Sequence, residues 1–273
     1  MQPTCGIKLG YLSNLLSYSF LLYFPFSCYN NIMELNDKND FISTVSHELR
    51  TPLTSIRGFS QTMLASWDKL DDASKKKFIK IIEEQSNRLI NLVENMLSVT
   101  KLQSTKGEFF YKEVDIKPVI ETVFSIIKNQ YTNHSYEIKI SDNPPRILVD
   151  KDKFHQIMTN LIENAAKYSD ENTPIIVETG QCNSCDCVPI RVINTGTEIK
   201  EEDYEKIFTK FSRIDNPLTR KVQGSGLGLF ITKNLVEKMD GKISVHSKDK
   251  KTIFEVLLPI ANIEKQARSK CNQ

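Results

Sequence analysis

The sequence predicts an α+β chain: a helical hairpin that pairs with a second copy as a dimeric four-helix bundle, followed by an α/β sandwich. Three observations carry this expectation. From about Leu35 to Thr100 the apolar residues recur at steps of three and four, the repeat of helices packed in a bundle. Farther on, short apolar runs of strand length alternate with longer helical patterns. Finally, 273 residues with 40% apolar side chains suffice for two modest domains, each with a core. The expected boundaries are a leader over 1–33, the hairpin over 34–104, a linker over 105–112, the sandwich over 113–260 and a polar tail over 261–273.

The leader differs from everything after it. Leu9 to Tyr29 is mostly apolar and, as a helix, about 30 Å long, just enough to span a bilayer. Asn14, four serines and Pro25 interrupt it, and no basic cluster follows to fix an orientation. No A-x-A-like cleavage site is visible. Two readings stand: a membrane anchor through residues 9–29, or a leader outside the fold with Met33 as the true start. Neither leaves room for a sensory domain. The rest reads as a cytoplasmic part, since six cysteines in a chain of this length are no disulfide scaffold. A net charge of +2 gives no bulk attraction to nucleic acid, which is not expected as a partner.

In the first helix, expected to end near Ser66, Phe41, Val45, Leu49, Pro52, Ile56, Phe59 and Met63 form one apolar stripe. His47 lies two positions from both Val45 and Leu49 and so points away from it, on the side of Ser43, Arg50, Thr51 and Thr54. Glu48 sits beside it. Pro52 cannot donate to the carbonyl of Glu48, so the backbone is expected to loosen there. After a turn at Trp67–Asp72, the second helix carries Ile79, Ile82, Ser86, Leu89, Val93, Met96 and Thr100 at a 3.5-residue repeat. Two helices alone cannot bury two such stripes, hence the expected homodimer.

In the sandwich, Asp115 is expected to cap a helix to about Gln130, and strands at 136–140 and 146–149 flank the Asn143-Pro144-Pro145 turn. Asp150 opens a long helix, followed by strands near 175–178 and 190–193. A helix from near Gly226 to Gly241 leads to strands at 242–246 and 253–258.

Several stretches carry chemistry. Asn160, Asn164, Lys167 and Tyr168 line one side of a largely apolar helix. Asparagine is a poor helix former, and two beside a lysine suit an amide oxygen meeting Mg²⁺ and an ammonium meeting phosphate. Gly224-Ser225-Gly226-Leu227-Gly228 at a helix start lets backbone N–H groups approach phosphate. It is neither a Walker A loop, lacking Gly-Lys-Ser/Thr, nor a Rossmann fingerprint.

Ser46-His47-Glu48-Leu49-Arg50-Thr51-Pro52-Leu53 resembles the phospho-accepting box of sensor histidine kinases. The segment from Asn160 to Ser169 resembles their N box, which implies Mg²⁺ on Asn164, phosphate near Lys167, Tyr168 along the nucleotide and Asn160 in the same site. Asn194-Thr195-Gly196-Thr197-Glu198, followed by Ile199, stands where the family has Asp-x-Gly-x-Gly. There the aspartate accepts from the adenine amino group. Asn194 and Glu198 are departures and Gly196 is kept. Residues 207–213 resemble the F box, with Phe208 and with Arg213 near the phosphates, and Gly224, Gly226, Leu227 and Gly228 the glycine box. Lys251-Thr252-Ile253-Phe254 partly matches the final Gly-Thr-x-Phe, placing Thr252 at the nucleotide.

The resemblance covers about Asn39 to Pro259 and implies an ATP-binding domain in the sandwich, with ATP and Mg²⁺ as cofactors. It further implies autophosphorylation of His47, assisted by Glu48, and transfer to the receiver aspartate of a separate response regulator. Thr51, from His-Glu-x-x-Thr, would position water in a reverse phosphatase reaction. The departures motivate an alternative, a pseudokinase scaffold that binds the regulator without efficient ATP turnover. A zincin is excluded, because no second histidine follows His47-Glu48 at the required spacing. Cys182, Cys185 and Cys187 form C-x-x-C-x-C in a hairpin loop, either a metal site lacking a nearby fourth ligand or a variable loop rich in cysteine.

Overall fold

The computed structural model describes residues 26–103, 109–140, 144–180, 186–212 and 224–261, the first sixteen of them and Gln103 by backbone only. Most of the apolar leader, Arg213, Cys182 and Cys185 therefore lie outside the described residues. Among the described residues no helix is long and apolar enough to cross a membrane.

Helix α1 spans Phe26–Ser66 and runs through Pro52 as one helix. The lost hydrogen bond at the proline costs up to about 3 kcal/mol, but Pro52 is itself buried and Met63, on the same stripe, is 8% exposed. A short 3₁₀ turn at Trp67–Lys69 leads into α2, Asp72–Gln103. Phe59 meets Phe78 across the hairpin with ring centres 5.2 Å apart.

The stripe on α2 is only partly the expected one. Leu92 and Val99, seven residues apart, are the buried pair, whereas Ile79, Val93 and Thr100 are exposed. A 3.5-residue repeat fixes the period of a seam, but two adjacent apolar rows both satisfy it, and tertiary packing chooses one. The other row stays exposed at Ile79, Ile90, Val93 and Leu97, with Leu53 and Leu64 on α1.

In the second region β1 (Tyr111–Val114) pairs antiparallel with β3 (Ile147–Asp150). Tyr111 and Lys112, assigned to the linker by their polarity, are thus already in a strand, opposite Asp150 and Val149. Between them lie α3 (Ile116–Gln130) and β2 (Ser135–Lys139). After β3 come α4 (Lys151–Tyr168), β4 (Pro174–Thr179), β5 (Cys187–Thr195), α5 (Gly228–Lys238), β6 (Lys242–Lys248) and β7 (Lys251–Pro259). The five-stranded sheet has the order β2-β4-β5-β7-β6, with β2 parallel to β4 and the other pairs antiparallel. The strands flanking the Asn143–Pro145 turn do not form a hairpin but belong to different sheets. Period-two alternation shows which face of a strand is buried, not which strand lies beside it.

One face of the sheet carries the core: Ile175, Val177, Val188, Ile190, Val192, Val256 and Leu258 are all essentially inaccessible, and α4 packs on β4 and β5. On the other face Arg191 bridges Glu178 at 3.5 Å and Glu255 at 2.6 Å, so that side remains polar. Asp150 ties the layers together. Its Oδ1 accepts from the backbone N–H groups of Asp152 and Lys153, capping α4, and its Oδ2 accepts from Phe110 N at 3.0 Å. Asp115 precedes α3 but makes no capping bond; its Oδ1 accepts from Arg146 Nε at 2.9 Å.

Candidate functional site

The first candidate residue is on α1. His47 is exposed, as are Arg50, Thr51 and Thr54, while Val45, Leu49 and Ile56 are half-buried and Pro52 buried, so the histidine lies off the apolar stripe. Glu48, half-buried, accepts a hydrogen bond from Arg88 Nη2 of α2 at 3.2 Å. Both side chains of that ion pair are 24% exposed, enough burial to orient the carboxylate. Arg88 was not legible as a partner, because forty residues separate the two.

The second group gathers along α4 and α5, where two cavities adjoin, the smaller reaching the sheet and the larger lined also by Glu48 and by Arg88 and Leu92 of α2. The smaller, of about 90 Å³, is lined by Asn164 and Tyr168 of α4, Asn194 and Thr252 of the sheet, Thr197, Ile199, Ile207, Ser212, Leu229 and Phe254. Its walls are largely apolar and its floor is polar, which suits a flat heteroaromatic base whose edge needs hydrogen bonds. The larger, of about 860 Å³, is lined among others by Asn160, Asn164, Lys167, Tyr168, Gly224, Gly226 and Gly228. Asn164 and Tyr168 line both and so stand at the junction.

The floor has a simple origin. Asn194, Thr252 and Ser247 are cross-strand partners in one rung over β5, β7 and β6, where the buried face turns from apolar to polar. They are 3%, 3% and 6% exposed. Ser247 Oγ accepts from Ile199 N at 3.1 Å and shares a 2.8 Å hydrogen bond with Thr252 Oγ1. The Tyr204 hydroxyl accepts from Ser247 N at 2.7 Å and donates to its carbonyl at 3.0 Å, pinning the strand. Ser247 and Tyr204 escaped the sequence reading, although two-residue alternation with Val245 places Ser247 on the inner face.

The glycines act differently from one another. Gly226 adopts φ 67°, and a Cβ there would fall 2.7 Å from the backbone of Phe211. Gly196 is where β5 meets the end of α4: a Cβ would lie 2.0 Å from the Tyr168 carbonyl oxygen, while its N–H donates to Lys250 O at 2.8 Å. Gly196→Ala is therefore expected to cost about 3 kcal/mol and lower the melting temperature of this domain by roughly 6–12 °C in a thermal scan. An unchanged transition would show that the two elements can separate freely.

Asn160 is engaged within the fold: its Nδ2 donates to Thr232 Oγ1 of α5 at 2.6 Å, and its amide fills the space that a side chain at Gly228 would take. Lys167 lines the larger cavity with its ammonium 2.8 Å from Glu163 Oε1. Burial first, and the Glu163 carboxylate second, push the Tyr131 hydroxyl far above its ordinary value, so it stays a donor. Gly196, Phe208 and Leu227 line neither cavity; Phe208 packs edge-on against Phe254, and Leu227 is fully buried in the core. Cys187 is disulfide-bonded and offers no thiolate, and no metal-holding cluster of His, Cys, Asp and Glu occurs among the described residues.

The hairpin with its exposed histidine and the sheet region with its cavity each correspond to a known domain. Residues 37–105 match the His Kinase A (phospho-acceptor) domain, and residues 149–262 match the histidine kinase-, DNA gyrase B- and HSP90-like ATPase. The chain belongs to the sensor histidine kinases of two-component systems. It is 31% identical over 223 residues to the signal transduction histidine-protein kinase ArlS of Staphylococcus haemolyticus, covering 81% of this chain and 49% of that protein. It is 31% identical over 228 residues to the sensor histidine kinase WalK of Bacillus subtilis, covering 82% and 37%. The chain thus spans half or less of the length of these curated relatives. Among solved structures it resembles histidine kinase ThkA in complex with response regulator protein TrrA, with a TM-score of 0.66, 25% identity and coverage of 84% and 64%.

Proposed function

We propose that the protein is an ATP-dependent histidine kinase that phosphorylates its own His47 and passes the phosphoryl group to an aspartate of a response regulator. The observation that carries it is the coincidence, in one chain, of a surface histidine held off an apolar stripe and a base-sized cavity with a polar rung. ATP would place its base on Asn194 and Thr252 and its phosphates toward Gly224–Gly226 and Lys167. Asn164, at the junction of the two cavities, would offer its amide oxygen to Mg²⁺, which when bound draws charge from the phosphates. The family resemblance adds Arg213 at the phosphates.

Catalysis in such a site is mainly positioning and charge stabilisation. Glu48, oriented by Arg88, would accept the proton of the histidine ring nitrogen that does not attack, keeping the other nucleophilic. Thr51, one turn on and exposed, suits positioning of water for dephosphorylation. The exposed row Ile79, Ile90, Val93 and Leu97 is the surface a second copy would cover as a four-helix bundle. The resemblance to a kinase solved with its regulator supports a response regulator as partner.

Incubation with γ-labelled ATP should yield acid-labile, base-stable label on the protein, chased off by a receiver domain. One observation favours a second reading, a scaffold with little turnover: the buried position that carries a carboxylate in the family is Asn194. Neither label nor free phosphate under these conditions would establish the scaffold instead.

A further inference from the structure

The floor of the smaller cavity holds no ionised side chain, and each of its polar groups can reverse its role. A carboxylate at position 194 would only accept. The amide of Asn194 presents an oxygen in one orientation and an NH₂ group in the other, at the same place. Thr252 gains the same freedom from Ser247. With Ile199 N already donating to Ser247 Oγ, the 2.8 Å Ser247–Thr252 hydrogen bond can run in either direction. When Ser247 donates, the Thr252 hydroxyl hydrogen is left for the cavity. When Thr252 donates, its lone pairs face the cavity instead. Asn194 and Thr252 are 3% exposed, so water does little to soften a mismatch, and what a ligand edge offers must be met by these groups.

We infer that this site accepts a 6-oxopurine nucleoside triphosphate, the hypoxanthine type, nearly as well as the 6-aminopurine of ATP. The inference rests on the nucleotide site proposed above and adds its base specificity. The 6-amino group donates to Asn194 Oδ1; the 6-oxo group accepts from Nδ2 after the amide turns over. The neighbouring ring nitrogen changes from acceptor to donor between the two bases, and Thr252 follows it by reversing its bond with Ser247. Hypoxanthine differs from adenine only along this edge, so it tests the rung without adding a group elsewhere.

The experiment is calorimetric titration of the full chain with ATP and with inosine triphosphate, each with Mg²⁺. The native protein should bind the two within about tenfold of each other. In Asn194→Asp, which restores an acceptor-only group, the preference for ATP should widen by roughly tenfold or more, because the carboxylate then opposes a 6-oxo acceptor. Asn194→Ala should weaken both nucleotides while leaving their ratio near the native one. A native preference for ATP beyond about tenfold overturns the inference, and that arm needs no variant to fold. An unchanged ratio in a folded Asn194→Asp overturns it too. If the native protein binds neither nucleotide, the proposed nucleotide site itself falls, an outcome distinct from tight ATP binding with rejection of inosine triphosphate.

Discussion

His47→Gln should reduce acid-labile phosphorylation to background while nucleotide binding and thermal stability stay as they are. Glutamine is a good helix former of similar length and remains neutral. The side chain it replaces is exposed and off the apolar stripe, so the change in stability should lie within about 0.5 kcal/mol. Loss of label is then loss of the nucleophile rather than of the fold. The decisive comparison is label per mole against the melting curve of the same sample. Label that persists in the variant would place the acceptor on another residue, and a melting temperature lower by several degrees would mean that His47 supports the hairpin.

Asn164→Ala should lower Mg²⁺-dependent ATP affinity by roughly thirtyfold or more, about 2 kcal/mol, with little change in melting temperature. The side chain is half-buried and lines both cavities, whereas its helix neighbours Ile162, Ala165 and Ala166 make up the core. Alanine keeps the helix, and in the absence of ligand its small side chain leaves no buried polar group stranded. Titration with and without Mg²⁺ separates the roles: a loss confined to the Mg²⁺ condition assigns the amide to the metal. Equal loss in both conditions assigns it to the nucleotide, and intact affinity removes Asn164 from the site.

These two residues illustrate how differently parts of the site are written in the chain. His47 is determined locally. Helical periodicity alone puts it opposite Val45 and Leu49, and the burial of α1 follows that pattern through Pro52 and Met63. The Asn164 stripe is also local, since residues spaced by four and seven share a side of a helix whatever surrounds it. The same holds for the Asp150 cap on α4 and the positive φ of Gly226, because caps and tight turns are chosen over a few residues.

What depended on distant partners was settled by tertiary structure. Two apolar rows on α2 satisfied one repeat, and only tertiary packing left Leu92 and Val99 buried and Ile79 and Val93 exposed. Asp115 stands where a cap belongs, yet Arg146, thirty-one residues away, takes its carboxylate. β2 and β3 have clear alternation but separate sheets, since pleat gives a strand its faces and says nothing of its neighbour. The rung of Asn194, Thr252 and Ser247 exists only because the register of three strands aligns residues from positions 194 to 252 of the chain. Sequence periodicity determined which side chains face inward; the pairing of strands decided which of them meet, because hydrogen bonds between strands are made by backbone groups that every residue carries alike.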